Sequence, residues 1–320
     1  MEKTTDYDVI VLGGGPAGLA AGIYLSRAKL RALILNEGTA GGQMILTHEI
    51  ANYPGVEKIS GYQLANIMKK QAKDFGCDVK SNISVSELHL KGDEKSVVLS
   101  DGTTYTSLSV ILAPGGRPRT LGVTGEDLFK GRGISYCATC DGDFFTGKEV
   151  VVVGGGNSAL EEAVSLTRFA TKITVVHQFD HFQAFSHAVD EARKNNRISF
   201  LMKSEITGFY GSDHLEYIGI KEISTGKTYE FRTDGVFIFI GYIPNTDFLN
   251  NGPELNAQGE IKVNNEMETS IFGVYAAGDS IEKKYRQITT AVGDGTIAAL
   301  SAIEYTYNLK AKLNHHNLIY

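Results

Sequence analysis

The chain has 320 residues, 31 Lys+Arg against 37 Asp+Glu, a formal charge of −6, 42% hydrophobic and 21% charged residues, a globular composition that excludes non-specific nucleic-acid binding through positive charge. The length exceeds the ~250–300 residues at which one core stops growing, so two domains are expected. No apolar run reaches the ~18 residues that span a membrane, and the polar segment Met1–Asp8 does not read as a secretory signal.

Asp8-Val9-Ile10-Val11-Leu12 is an apolar, β-branched strand that runs into Gly13-Gly14-Gly15-Pro16-Ala17-Gly18, then a helix, then a second strand Ala32-Leu33-Ile34-Leu35. Such a turn suits a dinucleotide. Its first glycine makes the bend, its second lets the backbone approach a pyrophosphate, and its third lets helix and strand pack closely. Those positions are Gly13, Gly15 and Gly18. Lys69, Lys70 and Lys73 then share a helix and read as a solvated face, and lone Cys77 reads as a small buried hydrophobe. Val79–Leu90 and Ser96–Leu112 read as strands, and Ala113–Pro118 is a breaker cluster expected to form a hinge.

Cys137-Ala138-Thr139-Cys140-Asp141 follows. Two cysteines three apart can close a small disulfide ring and open it again. A structural zinc site would need about two more ligands at suitable spacing, so no metal is expected. With three cysteines in the whole chain, a cytoplasmic protein with a redox-active pair is the better reading. Asp141 can relay a proton to or from a leaving thiol, or cap the helix that follows.

The strand–turn–helix then repeats: Glu149–Val153, Gly154-Gly155-Gly156-Asn157-Ser158-Ala159, a helix, and the strand Ile173–Val176. Two such units in the right context are far more specific than one glycine motif, and parallel strands need these crossovers. A second breaker cluster, Gly241–Asn245, precedes a strand ending in Asp279, a helix over 289–305, and a tail from Asn314 to Tyr320. The expected fold is α/β, with two doubly wound three-layer domains. One is discontinuous (1–118 and 245–320), and the inserted one (119–244) carries the CxxC pair.

With Gly41-Gly42-Gln43, Asn52-Tyr53-Pro54-Gly55 and Lys284-Tyr285-Arg286-Gln287 added to these motifs, nearly the whole chain resembles the low-molecular-weight thioredoxin reductases. The resemblance implies FAD, thioredoxin as partner, and a homodimer. It implies that Gly13, Gly15 and Gly18 hold the FAD pyrophosphate and Asp279 the ribityl chain. Gln43, Asn52, Arg286 and Gln287 would lie by the flavin. Where the family places a ribose-binding acid, Asn36 stands, followed by Glu37, which takes the role here. Cys140 would receive the flavin's electrons and Cys137 attack the partner's disulfide, through a thiolate and a mixed disulfide. Tyr320 is a candidate to cover the flavin.

One segment departs from the family. Where the usual nicotinamide domain has His-Arg-Arg and a further Arg, this chain has His177-Gln178-Phe179-Asp180-His181-Phe182-Gln183. Hydrogen bonds to charged groups contribute ~1.5–3 kcal/mol each, so losing two costs ~3–6 kcal/mol, or ~10²- to 10⁴-fold in affinity. Neutral Gln and Phe do not replace a guanidinium fork. NADPH is therefore not expected, and no acid ends the strand to favour NADH. The departure resembles the ferredoxin-dependent flavin thioredoxin reductases, with Lys283, Lys284 and Arg286 as a basic cluster suited to an acidic partner. The alternatives are an NADH- or NADPH-dependent thioredoxin reductase and an FAD dithiol oxidase that uses oxygen.

Overall fold

A computed structural model of the chain describes residues 5–47, 50–250 and 252–316. Tyr320 lies outside them. The chain forms two compact units, Met1–Arg117 with Ile243–Tyr320, and Pro118–Tyr242.

In the first unit a five-stranded parallel sheet has the order Val274–Ala276, Ser109–Leu112, Val9–Leu12, Ala32–Asn36, Asp78–Ser81. Its central strand alternates between two cores. Val9 and Val11 face the helices, packing with Leu19, Ile23, Leu64 and Ala298. Ile10 and Leu12 face the other side, packing with Val97 and Leu99 of an antiparallel sheet formed by Val85–His89, Lys95–Leu99 and Thr104–Ser107. A strand covered on both faces is apolar throughout, which is why this one reads as a continuous hydrophobic run.

The second unit repeats the plan. Its parallel sheet has the order Ile198–Leu201, Lys172–Val176, Glu149–Val153, Gly235–Ile238, Ile134–Ser135. Val150 and Val152 pack on the helix side with Leu160 and Ala163. Val151 and Val153 pack with Ile218 and Ile220 of the antiparallel sheet Ser204–Gly211, Leu215–Glu222, Thr228–Arg232. Both units are thus three-layer α/β structures, as the repeat implies. In each, the strand that feeds the glycine turn is central, and chain order reverses beside it, where α/β sheets bind ligands.

The breaker clusters lie side by side, since Gly116–Pro118 and Tyr242–Pro244 pair as two short strands. Asn245 ties the chain together there. Its N–H donates to Gly115 O at 2.9 Å, its Nδ2 to Pro114 O at 3.1 Å, and its Oδ1 accepts from Arg117 at 2.8 Å.

The last helix is longer than its sequence pattern indicates, running Ile288–His316 rather than ending at Tyr305. No breaker interrupts Asn308-Leu309-Lys310-Ala311-Lys312, and a buried carboxylate anchors the extension. Asp8 Oδ1 lies 2.9 Å from both Lys310 Nζ and Arg31 Nη2. Burial alone would raise the Asp8 pKa, but hydrogen bonds from Arg31 and Lys310 outweigh it and hold it below the usual carboxylate range.

Candidate active site

The first glycine turn is a cradle built from backbone. Gly13 sits at φ +110°, and a Cβ there would overlap the Ala113 carbonyl oxygen at the end of the neighbouring strand. A Cβ on Gly18 would overlap Gly13 O, so the helix Pro16–Arg27 can start directly above the strand. Gly15 has ordinary backbone angles, and a Cβ on it would meet only Gly42 Cα at 3.8 Å. No side chain caps this helix, so its first N–H groups and its positive dipole end face the space beside Gly15. An anionic pyrophosphate fits that space.

Gln43 and Asp279 lie on segments that touch the same turn. Gln43 lies on the short 3-10 helix Gly42–Leu46, next to the glycine that faces Gly15. Asp279 lies on the 3-10 turn Gly278–Ser280, where a Cβ on Gly278 would press on Ala17 of the first helix at 2.9 Å. Asn52 and Gln287, distant in sequence, meet through a 3.5 Å hydrogen bond from Asn52 Nδ2. Glu37 lies exposed just past the strand end.

Asn36 does something its sequence position does not indicate. Its Oδ1 accepts from Gly14 N at 2.7 Å and its Nδ2 donates to Gly38 O at 2.7 Å. It braces the turn from below.

The basic cluster is largely neutralised. Lys283 pairs with Asp294, and Arg286 pairs with Glu260. Lys70 likewise pairs with Asp74.

In the second unit Cys137 and Cys140 form a disulfide, at the start of the single helical turn Ala138–Asp141. Cys140 N donates to Cys137 Sγ at 3.2 Å. The strand before it is fastened by Glu126, which accepts from Tyr136 OH at 2.7 Å, Leu121 N at 3.1 Å and Gly122 N at 2.7 Å. Burial and Glu126 together push the Tyr136 phenol up, so it stays protonated.

Asp141 caps no helix. It accepts a 2.6 Å hydrogen bond from Ser135, which sequence reasoning missed. Burial raises its carboxyl above the ordinary range, the Ser135 bond lowers it in part, and the charge of Asp143 raises it again. Such an acid keeps its proton to a higher pH than an exposed aspartate. Cys77, by contrast, is buried, and burial pushes its thiol up to about 12, so it is inert packing. Among the described residues, no group of three or more His, Cys, Asp or Glu could hold a metal ion, and no helix is long and apolar enough to cross a membrane.

The second glycine turn keeps the steric pattern of the first. Gly154 sits at φ +138°, and a Cβ would overlap Phe239 O at the end of the adjacent strand. The helix Asn157–Leu166 also starts without a side-chain cap. The strand end differs. His177, 4% exposed, stands against Gly155, where a Cβ would overlap its imidazole ring. The ring stacks on Phe182 at 5.8 Å, and Nε2–H donates to His181 O at 3.1 Å. Burial lowers the His177 pKa, so the ring is neutral near pH 7. Gln183 N donates to Gly155 O at 2.8 Å, while Gln178 and Phe179 are exposed. Asp180 is engaged with His181 Nδ1 at 2.8 Å and Lys203 Nζ at 3.4 Å. No Lys or Arg occurs between Ile173 and Ala192.

Comparison with known proteins agrees with this geometry. The pyridine nucleotide-disulphide oxidoreductase family matches residues 7–295. The thioredoxin reductase of Bacillus subtilis is 43% identical over 314 residues, 98% of this chain and 99% of that protein. The crystal structure of thioredoxin reductase from Streptococcus pyogenes superposes with a TM-score of 0.90 at 40% identity, covering 94% of this chain and 98% of that one. Thioredoxin reductase from Giardia duodenalis gives 0.88 at 34% identity, covering 93% and 98%. With two three-layer units, one with an open glycine cradle and one with a CxxC disulfide beside a proton-retaining acid, the chain belongs to the pyridine nucleotide-disulphide oxidoreductases, as a flavin-dependent disulfide oxidoreductase of the low-molecular-weight thioredoxin reductase kind.

Proposed function

We propose that this enzyme reduces thioredoxin through Cys140 and Cys137, and that its electrons come from reduced ferredoxin rather than from NADPH. The observation that carries the donor reading is the second glycine turn. Its strand end offers a neutral imidazole, an exposed Gln178 and an exposed Phe179, and no cation occurs from Ile173 to Ala192. A 2′-phosphate needs charge-assisted bonds; this loop carries no Lys or Arg of its own, and the Lys203 ammonium beside it is engaged with Asp180.

FAD supplies both one- and two-electron chemistry, the property that links a one-electron donor to a dithiol. Gly13, Gly15 and Gly18 would hold its pyrophosphate, Glu37 its ribose and Asp279 its ribityl chain, with Gln43, Asn52, Arg286 and Gln287 beside the flavin. Cys140 is the sulfur that receives the electrons, and Cys137 is the attacking thiolate. Cys137 Sγ attacks a sulfur of the thioredoxin disulfide. One S–S bond forms as the other breaks, and the leaving thiolate takes a proton from Asp141. Cys140 then passes its proton to the Asp141 carboxylate and attacks Cys137 Sγ, the internal disulfide reforms, and the second thioredoxin thiolate leaves and takes that proton from Asp141. Two electrons and two protons have moved to thioredoxin. The Cys140 N–H that now reaches Cys137 Sγ would favour the Cys137 thiolate once reduced. A homodimer is part of this reading, on the resemblance alone, and sedimentation measures it.

Anaerobic turnover assays with thioredoxin disulfide test the scheme. Reduced ferredoxin should sustain turnover. Equal turnover with NADPH or NADH would remove the donor assignment. Oxygen uptake driven by a small dithiol without thioredoxin would replace the scheme with a dithiol oxidase.

A further inference from the structure

We propose that Ser135 is a positioning residue for disulfide exchange, its hydroxyl being the joint that holds the Asp141 carboxyl in register with Cys137. The inference rests on the reading of Asp141 as the proton carrier.

Ser135 is 5% exposed, so its partners are protein groups. Its Oγ lies 2.6 Å from Asp141 Oδ2, 3.0 Å from Cys137 N and 3.3 Å from Cys137 O. A hydroxyl has one proton to donate and two lone pairs that accept. Those three contacts can be satisfied in two ways.

With Asp141 ionised, Ser135 donates to the carboxylate and accepts from Cys137 N–H. With Asp141 protonated, the carboxyl O–H donates to Ser135 Oγ. The serine then accepts twice and turns its own proton to Cys137 O. Neither state leaves a buried polar atom unpaired, and neither requires a heavy atom to move. Asp141 can therefore lose a proton and regain it without disturbing the backbone that carries the attacking sulfur. Asp141 N also donates to Cys137 O at 3.1 Å, which closes the ring of contacts.

Asp143, on the following turn, is the neighbouring charge that bears on Asp141. The helix Asn157–Leu166 packs against the same turn and carries Glu161 and Glu162 as its titratable groups. The strand Ile134–Ser135 contributes no charge. Ser135 is thus the neutral partner that favours the ionised form, against burial and Asp143, which oppose it. Removing it moves proton loss to higher pH.

The test is single-turnover exchange between dithionite-reduced holoenzyme and thioredoxin disulfide, followed from about pH 5 to 9. FAD content and visible circular dichroism report the fold. Asp141→Asn should slow exchange ~10²- to 10⁴-fold. Ser135→Ala should slow it less, by about 10-fold, and shift the falling limb of the pH profile upward. Ser135→Thr, which keeps the hydroxyl, should restore both rate and midpoint. If Ser135→Ala keeps the wild-type profile while Asp141→Asn is slow, the inference on Ser135 is overturned and the role of Asp141 stands. A uniform loss in Ser135→Ala without a shift, or a Ser135→Thr variant as slow and shifted as Ala, also overturns it. A wild-type rate in Asp141→Asn would instead overturn the reading beneath it.

Discussion

The two glycine turns share a steric plan and differ in what stands at the end of the next strand. Gly13 and Gly154 both have positive φ, and each would clash with a carbonyl of the neighbouring strand, Ala113 or Phe239, if it carried a Cβ. Both helices begin uncapped. In the first turn the strand ends in Asn36, whose amide braces Gly14 and leaves Gly15 open toward Gly42. In the second it ends in His177, a neutral ring pressed on Gly155. The comparison separates fold from ligand. In both turns close packing of helix and strand requires the glycine, whether or not a nucleotide binds, whereas the choice of nucleotide lies in the strand-end residues.

The largest effect should come where both turns are alike. Gly13→Ala and Gly154→Ala each combine a left-handed backbone with overlap on a carbonyl, so each should lose about 2–4 kcal/mol of stability. Denaturant midpoints measure this, and an unaffected variant would break the equivalence of the turns. Next, the double substitution Gln178→Arg with Phe179→Arg should raise NADPH affinity ~10²- to 10⁴-fold, read by equilibrium titration. An unchanged affinity would show that something other than lost charge separates the second turn from an NADPH site.

A smaller contrast lies at the third glycine of each run. A Cβ on Gly156 meets nothing within 4 Å, and one on Gly15 meets only Gly42, so both alanine variants should fold. Gly15→Ala should weaken FAD binding by about 10-fold, through a lost close approach worth ~1.4 kcal/mol. Gly156→Ala should leave ferredoxin-driven turnover unchanged. Parallel loss of activity in both would mean that the second turn holds a needed nucleotide.

The smallest effect on stability lies outside the turns, at Asp141. Its folded pKa is above the unfolded value, so its contribution to stability is full below the unfolded pKa and is lost as pH rises through the folded one. Asp141→Asn should therefore raise the unfolding midpoint at pH 7, with the gain shrinking as the pH falls toward the ordinary carboxylate range near ~4. A variant more stable yet slower in exchange would separate the acid's chemical role from its structural cost.

Much of this was legible in the sequence because the signals were repeated and periodic. Two β-branched runs ahead of glycine turns read as parallel strands and are central in their sheets, and the CxxC spacing indicated the disulfide ring that Cys137 and Cys140 form. The full length of the last helix was not legible, because its extension past Tyr305 is anchored by a tertiary ion pair between Lys310 and Asp8. Ser135 was invisible for a similar reason. A serine two residues before a cysteine has no pattern of its own, and its role exists only once the strand Ile134–Ser135 brings it to Asp141. Asn36 read only as a residue standing in place of a ribose-binding acid, because sequence gives the position of a side chain but not its direction; its bonds to Gly14 and Gly38 appear only in the structure. The lysines and arginine near Asp279 read as a basic patch, since the acids that neutralise them, Glu260 and Asp294, lie elsewhere in the chain.

On this reading the second turn does not deliver electrons from a pyridine nucleotide. Anaerobic titration of the FAD-loaded enzyme, following flavin absorbance, tests it most directly. Reduced ferredoxin should bleach the flavin readily, and NADPH or NADH should bleach it little at comparable concentrations. Rapid, stoichiometric bleaching by NADPH would contradict it.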